Sequence, residues 1–499
     1  MRKTCKDLFA GIDCTIIGNE NELVEGIAYR SDRVRPHDAF FCIVGLVADG
    51  HSFAQDAIDR GAKVLVVERK VYLADATDVT EVVVKDTRKA LAQASAAFFD
   101  DPSESFSLVG VTGTNGKTTT TYLVEHIARV AGKRTGVIGT VGVRIGDAME
   151  KSEHTTPESF DLQHLFARMR DAGSDVVSME VSSHALDLER TWGTRFAVTA
   201  FTNLTQDHLD YHKTFEAYFE AKARLFSKDY PAKRVICVDD KYGRELLRRC
   251  SNAEDSVITT GFDRTAQIKP VEVAYGAHST TVTLSVRGTH YTFTYPLVGR
   301  FNVSNVMTAF GVGIQLGIPA TVIVEALSEA PQVPGRLEHV GEGNALGVAI
   351  YVDYAHTPDA LEKAIASVRE LTDGRTIVVF GCGGDRDASK RPIMGKAALA
   401  ADLAVVTSDN PRHEDPAAII DDILPGMVAG TDRYVVEPDR RRAIAAAIMA
   451  ARPGDAILIA GKGHEDYQLV GDEVRAFDDR VVAAEELARC EERRAGEQA

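Results

Sequence analysis

The chain has 499 residues, which is too long for one hydrophobic core and predicts about three domains. A formal net charge of −16 argues against general affinity for nucleic acid or an anionic membrane, and 44% hydrophobic with 26% charged residues is typical of a soluble globular protein. No segment approaches the roughly 18 apolar residues of a membrane span, the N-terminus lacks the apolar stretch of a signal peptide, and the seven cysteines form no C-x-x-C pair. We therefore expect a cytoplasmic protein with reduced thiols.

The first predicted domain, residues 1–102, is a small α/β domain. Short apolar runs alternate with helical stretches, as is typical of this class. The predicted strands are Ala39–Val44, Val64–Val67 and Val82–Val84, and the predicted helices are Phe53–Arg60 and Arg88–Phe99. The turn-forming residues Asp100–Ser103 mark its end.

The second predicted domain, residues 103–334, begins with the sequence FSLVGVTGTNGKTTTTYL at 106–123. Leu108–Val111 predict a buried strand, Gly113-Thr114-Asn115-Gly116 a turn, and Lys117 and Thr118 the start of a helix. Backbone N–H groups at a helix start bind phosphate, Lys adds a charge, and a Thr hydroxyl suits Mg²⁺. The usual phosphate-loop spacing requires Gly at position 111, which is Val here, and the simpler alternative is a chance Gly turn. The combination of strand, turn, Lys and Thr favours a nucleotide site.

The rest of this domain continues the βα alternation. Strand-like runs at Arg134–Ile138, Asp175–Val181 and Ala197–Asn203 predict a mostly parallel sheet with helices on both faces. Residues 271–298 alternate with the period of a strand and predict an antiparallel addition, with strands at Thr280–Val286 and Tyr291–Tyr295.

Two polar segments follow predicted strands of this sheet. Glu180 ends one strand, and residues 201–212 carry Asp207, His208, Asp210 and His212. Ligands gather at the carboxyl ends of such strands, and these side chains suit Mg²⁺ or Mn²⁺ as a partial cage that phosphate and water complete. A solvent-facing Glu and a polar helix-capping loop are the plainer alternatives.

The next predicted helix, Thr214–Phe226, places Lys222 on its apolar stripe with Phe215 and Leu225. A Lys there most often extends its ammonium to water. A buried Lys with a lowered pKa is instead nucleophilic, and carbamylation by CO₂ would convert it into an anionic metal ligand. The sequence leaves these alternatives open.

The third predicted domain, residues 335–499, is doubly wound. Its predicted strands are Val348–Asp353, Thr376–Phe380, Leu403–Thr407 and Ala456–Ala460, with a helix at Ala443–Ala451 and a charged helical tail after about residue 481. Four polar loops, 352–359, 381–386, 408–412 and 461–465, lie at or after strand ends and should therefore meet at one edge of the sheet. Arg386 and Arg412 suit a carboxylate and Glu465 suits an ammonium, so the loops predict an amino-acid site.

The ordered set of motifs resembles the Mur ligases, which are ATP-dependent amide-bond-forming enzymes of peptidoglycan precursor synthesis. The resemblance rests on Gly113–Thr118, the Glu180 and His208 segments, Arg300–Asn305, Pro334–Arg336 and Asp353–His356. The G-T-N-G-K-T form of the phosphate loop is that of this family. The resemblance implies a small N-terminal α/β domain, a central P-loop-type parallel-sheet ATPase domain and a C-terminal doubly wound, Rossmann-like domain.

Within the family, His154–Pro157, Glu180–Leu186 and Gly461–Gln468 resemble the members that add the third amino acid. Asp409–Arg412 is similar to the form in enzymes that add meso-diaminopimelate, whose second carboxylate Arg412 could receive. The implied activity joins meso-diaminopimelate to the D-glutamate of UDP-N-acetylmuramoyl-L-alanyl-D-glutamate through an acyl phosphate. The alternatives are the same ligase adding L-lysine, a folate polyglutamate synthetase-like ligase, and an ATP-dependent switch that is not a ligase.

The resemblance also implies roles for individual residues, with Lys117, Glu180, His208 and Lys222 as the catalytic set. It implies ATP contacts at Gly113, Thr114, Asn115, Gly116, Lys117, Thr118, Thr119, Asn302, Arg336, Asp353 and His356, and UDP-sugar-dipeptide contacts at Ser31, Thr155, Thr156, Ser182 and Arg190. The amino acid would meet Arg386, Asp409, Asn410, Pro411, Arg412, Gly461 and Glu465. Mg²⁺ would be held by Thr118, Glu180, His208 and the Lys222 carbamate. We expect a monomer whose partners are these small-molecule substrates.

Overall fold

The computed structural model describes residues 1–45, 48–71, 78–152, 154–250, 257–276, 278–430 and 432–498. These residues form two compact units. The first comprises residues 1–112, 132–200 and 219–234, and the second comprises residues 113–131, 201–218 and 235–499. Residue 277, within the predicted antiparallel segment, and residue 499, at the end of the predicted helical tail, lie outside the described residues.

The first unit begins with a five-stranded sheet in the order β2-β7-β6-β5-β4. Strands β4 to β7 run parallel, and β2 pairs with β7 in the antiparallel sense. Alternate residues of β5 and β6 face two different apolar clusters, one packed on α3 and the other on α2. The elements are β1 (Lys3–Thr4), α1 (Cys5–Leu8), β2 (Cys14–Ile17), β3 (Leu23–Val24), β4 (Gly26–Ala28), β5 (Asp38–Phe41), α2 (Ala54–Asp59), β6 (Val64–Val67), β7 (Thr80–Val84) and α3 (Thr87–Phe98).

A second sheet region of this unit has the order β11-β10-β9-β12-β8. Strand β12 pairs in parallel with β8 and β9, whereas β10 and β11 form an antiparallel hairpin at the edge. The hairpin was not part of the sequence-based prediction. The elements are β8 (Ser107–Thr112), β9 (Thr135–Ile138), β10 (Val143–Ile145), β11 (Ala148–Glu150), α5 (Ser159–Asp171), β12 (Val176–Glu180) and α6 (Ser183–Asp187).

Three elements contain residues of both units, namely β13 (Val198–Phe201), α8 (Phe215–Ala223) and β14 (Lys233–Cys237). Up to residue 328 the second unit contains α4, which packs against α10 and α11, and the strands β15 to β18, of which β16, β17 and β18 pair in the antiparallel sense. Its elements up to residue 328 are α4 (Lys117–Val130), α7 (Leu209–His212), α9 (Lys241–Arg249), β15 (Val257–Thr260), β16 (Ile268–Tyr275), β17 (Thr280–Val286), β18 (Thr289–Tyr295), α10 (Arg300–Gln315) and α11 (Ala320–Ser328).

The C-terminal part of the second unit is a six-stranded sheet in the order β19-β20-β24-β21-β22-β23. All neighbours are parallel except β19 and β20. Its elements are β19 (Glu338–Val340), β20 (Ala349–Asp353), α12 (Pro358–Arg369), β21 (Thr376–Phe380), α13 (Arg391–Ala398), β22 (Leu403–Val406), α14 (Pro416–Ile423), β23 (Tyr434–Val436), α15 (Arg440–Ala450), β24 (Ala456–Ala460) and α16 (Asp479–Gln498), with a separate hairpin of β25 (Tyr467–Val470) and β26 (Glu473–Ala476).

Both faces of this sheet are covered by helices. Val378 and Phe380 face a cluster formed with α12, α13 and α14, whereas Ile377 and Val379 face one formed with α15 and α16. Burial on both faces explains the continuous apolar runs of β21 and β24. The predicted α/β class and the doubly wound C-terminal sheet are confirmed. The domain boundaries at residues 102 and 334 stay a prediction.

Helix α4 carries a buried histidine, His126, whose protonation should destabilise the second unit. Burial, followed by the charge of Arg129, lowers the pKa of His126, while Glu125 and Glu329 act in the opposite direction. The Arg129 Nη2 donates to His126 Nδ1 at 3.2 Å, which requires the neutral ring because a guanidinium has no acceptor. A lowered pKa in the folded state means that this contribution is present above the unfolded-state pKa of 6.5 and is lost as pH falls.

We therefore expect the melting temperature of His126→Gln to fall less between pH 7.5 and pH 5 than that of the unaltered protein. These two pH values lie roughly one pH unit or more on either side of the unfolded-state pKa. His413→Gln is the control of opposite sign, because hydrogen bonds to Asp385 and Asp472 raise the pKa of His413 and its stabilisation is lost as pH rises. Identical pH dependence of His126→Gln and the unaltered protein would contradict this account.

Candidate active site

The turn between β8 and α4 has the backbone shape that a phosphate loop needs. Gly113 has φ 148° and Gly116 has φ 85°, and both values are left-handed conformations that favour glycine. A Cβ atom at Gly113 would overlap the hydroxyl of Thr202, and one at Gly116 would overlap the side-chain oxygen of Asn305. Both glycines are therefore required by conformation and by space.

The segment 202–205 holds the outside of this turn. Asn203 accepts hydrogen bonds from the backbone N–H groups of Thr114 (2.9 Å, to its carbonyl) and Asn115 (3.0 Å, to Oδ1). Thr202 Oγ1 and Asn203 Nδ2 donate to the Asn115 carbonyl at 2.7 and 3.1 Å. These bonds satisfy the outer polar groups of the turn and leave its inner face toward the start of α4.

The first turn of α4 presents its N–H groups and a lysine. The first intrahelical bond runs from Thr120 N–H to the Gly116 carbonyl, so the N–H groups of Lys117, Thr118 and Thr119 have no acceptor within the helix. Lys117 Nζ donates to the carbonyls of Gly113 (2.9 Å) and Thr114 (2.8 Å) and lies folded over the turn. N–H groups, helix dipole and ammonium all favour an anion here.

Arg336 lies beside this helix start. Its Nη2 donates to Thr118 Oγ1 at 3.0 Å, and its guanidinium lies over the Tyr354 ring at 4.6 Å. The half-buried carboxylate of Asp353 accepts the N–H groups of Leu337 and Ala355, each at 2.8 Å, and thereby fixes the backbone directly after Arg336 and directly after Tyr354. Burial raises the pKa of Asp353, and Arg336 opposes that effect.

His356, Asp207 and His208 also lie in the second unit. His356 is exposed, and its Nδ1 lies 2.9 Å from the Tyr354 carbonyl. Although burial acts to raise it, the pKa of Asp207 is lowered by His208, His356 and Lys117. No group of three or more His, Cys, Asp or Glu side chains in the described residues forms a metal cage.

Two asparagines of α10 support the turn from below. Asn302 Nδ2 donates to the Val298 carbonyl at 2.8 Å, and Asn305 Nδ2 donates to Asn302 Oδ1 at 3.0 Å. Both side chains are buried. The pair fixes the Asn305 oxygen against Gly116, so the predicted ATP contact Asn302 acts on the turn through Asn305.

The first unit gathers four of the five predicted dipeptide contacts around Glu180. Thr156 Oγ1 donates to the Glu180 carbonyl at 2.9 Å and accepts the Ser182 N–H at 3.0 Å. Arg190 Nη1 donates to the Thr156 carbonyl at 3.0 Å, and Thr155 Oγ1 lies 3.0 Å from Thr140 Oγ1. The fifth, Ser31, opens the short 3-10 turn Ser31–Arg33 in the N-terminal part of the same unit.

Thr140 also belongs to this cluster, although no sequence motif points to it. Its N–H and hydroxyl donate to the two carboxylate oxygens of Glu180 at 2.8 and 3.1 Å. Glu180 is 1% exposed, so the Thr140 bonds satisfy a buried carboxylate. Gly139 is equally constrained, since a Cβ there would overlap Glu180 Oε1.

Lys222 is 1% exposed and lies within α8. The structure therefore favours the buried alternative over a side chain that extends to water. A buried ammonium requires compensation, either by polar partners or by chemical modification.

The four C-terminal loops meet at one sheet edge, as the strand order requires. Gly384 N–H donates to the Asn410 carbonyl at 2.9 Å, and Gly461 N–H donates to the Asp353 carbonyl at 3.0 Å. A Cβ on Gly461 would overlap the Asp409 carboxylate, so the loops after β22 and β24 are in close contact.

Within this cluster the charged side chains occupy distinct positions. Asp409 and Asn410 are buried, whereas Arg386 is exposed and Arg412 is half-buried. Arg412 Nη1 donates to the Gly384 carbonyl at 2.8 Å, and the carbonyl of Pro411 approaches Gly384 so closely that no Cβ fits there. Burial raises the pKa of Glu465, and Lys462 opposes that effect. The site has arginines at its rim and carboxylates inside.

A contact that the sequence analysis did not predict links the phosphate loop to the third predicted domain. Asp359, in the first turn of α12, accepts from Thr205 Oγ1 at 2.8 Å and from Asn115 Nδ2 at 3.3 Å. Lys363 Nζ donates to the same oxygen at 2.9 Å. The residues are far apart in sequence, so no local signal indicates this contact.

Three family models match the chain. They are the Mur ligase family catalytic domain over residues 23–99, the Mur ligase middle domain over 111–313, and the Mur ligase glutamate ligase domain over 335–463. A UDP-N-acetylmuramoyl-L-alanyl-D-glutamate--2,6-diaminopimelate ligase of Clostridium botulinum is 42% identical over 480 residues, which cover 96% of this chain and 98% of that protein. The chain belongs to the Mur ligase family.

Other Mur ligases give the same result. A protein of the same name from Geobacillus thermodenitrificans is 45% identical, with 91% of this chain and 92% of that one covered. A solved structure of a UDP-N-acetylmuramoyl-L-alanyl-D-glutamate--2,6-diaminopimelate ligase superposes with a TM-score of 0.71 at 30% identity and covers 99% of this chain and 100% of that one. No helix among the described residues is long and apolar enough to cross a membrane.

The geometry of Gly116 generates a prediction for nucleotide binding. An added methyl group would strain the left-handed backbone and displace Asn305, which Asn302 holds in place. We expect Gly116→Ala to weaken ATP binding, measured by calorimetry, by roughly tenfold or more, which corresponds to about 1.4 kcal/mol. The matched control is Gly132→Ala just after the same helix, where φ is 78° but no heavy atom of the described residues lies within 4 Å of the added methyl. Equal effects of both substitutions on ATP affinity would contradict the assignment.

Proposed function

We propose that the chain is an ATP-dependent ligase that joins meso-diaminopimelate to the D-glutamate of UDP-N-acetylmuramoyl-L-alanyl-D-glutamate. The observation that carries the proposal is the sheet edge whose loops contain Arg386, Arg412, Asp409 and Glu465. Diaminopimelate has two ammonium and two carboxylate groups, so it complements both kinds of side chain. The names of the two relatives above support the same substrates.

The reaction must first activate a carboxylate, because a carboxylate does not react with an amine at neutral pH. An oxygen of the D-glutamate side chain attacks the γ-phosphorus of ATP, and ADP leaves. The amine of diaminopimelate then attacks the acyl carbon, loses a proton, and phosphate leaves as the amide bond forms. The positions of the reacting groups and the neutralisation of charge dominate such transfers.

Residues of the second unit suit the first step. Lys117 and the N–H groups at the start of α4 would neutralise the transferring phosphoryl group, and Arg336 would add a second cation once it leaves the Thr118 hydroxyl. Asp359 supports this arrangement, since it connects Asn115 of the phosphate loop to the helix that follows Asp353–His356. In the second step, Asp409 and Glu465 would hold an ammonium while Arg412 and Arg386 receive carboxylates.

The hydroxyl of Thr118 is a hard oxygen ligand, and it fits Mg²⁺ bound together with phosphate oxygens. The ion would supply further neutralisation of the phosphates. The other predicted ligands, Glu180, Lys222 and His208, stay a prediction from the resemblance.

Phosphate release with ATP, Mg²⁺ and the UDP-linked dipeptide tests the proposal directly. We expect release that depends on meso-diaminopimelate and not on L-lysine. Arg412→Lys should lower kcat/KM for diaminopimelate by roughly 10- to 100-fold, because a single ammonium cannot form the paired hydrogen bonds of a guanidinium. Release with lysine alone would keep the ligase but overturn the role of Arg412. Phosphate release at the same rate with and without any amino acid would indicate an ATP-dependent switch.

A second prediction concerns the buried Lys222. Carbamylation would remove its positive charge and create an oxygen ligand, so we expect Lys222→Ala to lose most turnover while its melting temperature stays within a few degrees of the unaltered protein (roughly 1 kcal/mol). Added bicarbonate or acetate should restore part of the activity of this variant. Full activity of Lys222→Ala would remove Lys222 from the mechanism.

A further inference from the structure

Lys462 is a fully buried lysine at the edge of the sheet where the predicted amino-acid contacts meet. Its side chain is 0% exposed, although it belongs to the polar loop after β24. Burying an ammonium costs free energy unless its charge and its N–H donors are compensated. The partners of Lys462 therefore indicate why the loop keeps a cation inside.

Both polar partners are predicted contacts of the incoming amino acid. Lys462 Nζ donates to Asn410 Oδ1 at 3.0 Å and to Glu465 Oε2 at 3.3 Å. Asn410 Nδ2 in turn donates to the same Glu465 oxygen at 2.8 Å. The three side chains form a closed triangle, and the Tyr467 ring lies 5.6 Å from the ammonium.

The triangle fixes the orientation of the Asn410 amide. An ammonium can only donate, and the N–H of Leu469 also donates to Asn410 Oδ1 at 3.0 Å. Turning the amide over would place its NH₂ group against two donors and its oxygen against the Glu465 carboxylate. Lys462 and the Leu469 N–H thus determine that the amide nitrogen faces Glu465.

The triangle also leaves one carboxylate oxygen of Glu465 available to bind a second cation. Lys462 and Asn410 both use Oε2, and Oε1 receives no hydrogen bond in the part of the chain that the structure describes. Burial and the nearby Asp409 disfavour the ionised form of Glu465, whereas Lys462 favours it. A carboxylate with one free oxygen that stays ionised is the group that an incoming ammonium requires.

We propose that Lys462 is a positioning residue for the amino-acid site, which it serves by holding Asn410 and Glu465 in one arrangement without contacting the ligand. The proposal rests on the proposed function, since it concerns how that ligase binds its amino acid. It assigns part of the affinity for the amino acid to a cation beneath the site.

The test is Lys462→Met, which keeps most of the side-chain volume and removes the charge and the donors. KM for meso-diaminopimelate should rise roughly 10-fold or more, the effect of losing hydrogen bonds to a charged group, while KM for ATP and for the UDP-linked dipeptide changes less than about twofold. Glu465→Gln should cost less in the Lys462→Met background than in the unaltered protein, because the two substitutions remove parts of one arrangement.

A pH profile separates positioning from general stability. The charged and titratable groups that influence Glu465 are Asp409, Lys462, Arg440 and Tyr354. Without Lys462 the pKa of Glu465 rises, so the acid limb of kcat/KM for diaminopimelate should move to higher pH. The control is Arg375→Met at the opposite end of β21, which breaks an ion pair of 2.6 Å with Asp455 and should lower the melting temperature without moving that limb.

The outcomes are distinct. Absence of diaminopimelate-dependent phosphate release by the unaltered protein overturns the proposed function and this proposal with it. Normal release by the unaltered protein, with Lys462→Met changing all three KM values equally or none, overturns only the positioning role. If Lys462→Met does not fold, Lys462→Gln is judged by the same criteria, and failure of both to fold assigns Lys462 to the stability of the domain and overturns its positioning role.

Discussion

The parallel arrangement of β20, β24, β21 and β22 is the constraint on which the C-terminal site depends. Asp353 pairs with Ala460 and Phe380 pairs with Val406, so the strands end at nearly the same level. Parallel strands place all their following loops at one edge of the sheet. Polar residues from four distant parts of the sequence are thereby forced together.

The loops bring the carboxylates of Asp409 and Glu465 into a largely buried region, where nearby cations compensate their negative charge. Arg440 is fully buried, forms an ion pair of 2.7 Å with Asp479, and lies 4.0 Å from the Asp409 carboxylate. It also donates to the Ala460 carbonyl at 3.0 Å, directly before Gly461. Lys462, in the loop after β24, is likewise fully buried and lies 3.3 Å from the Glu465 carboxylate. Asp409 and Glu465 thus each lie beside a buried cation.

The sequence predicted the elements better than the contacts between them. The bounds of Val64–Val67, Thr280–Val286, Thr376–Phe380 and Ala456–Ala460 agree at both ends with the observed strands, because apolar runs and period-two alternation are local signals. Thr140 and Asp359 were missed, since a hydroxyl or carboxylate that acts 40 or more residues away leaves no periodic trace. For Lys222 the helical pattern revealed the apolar stripe, but only tertiary packing decides between burial and exposure of its ammonium.

The phosphate loop shows how a departure from a common spacing follows from the strand before it. Val111 occupies the position where the usual pattern has glycine, yet it lies inside β8, is fully buried, and pairs with Glu180 of β12. A residue in an extended strand needs no left-handed conformation, so the glycine requirement begins only at Gly113, where the strand has ended. Asn203 then closes the turn through both its backbone carbonyl and its side chain. The turn 113–116 is therefore stabilised by the neighbouring segment 202–205, which hydrogen-bonds to Thr114 and Asn115.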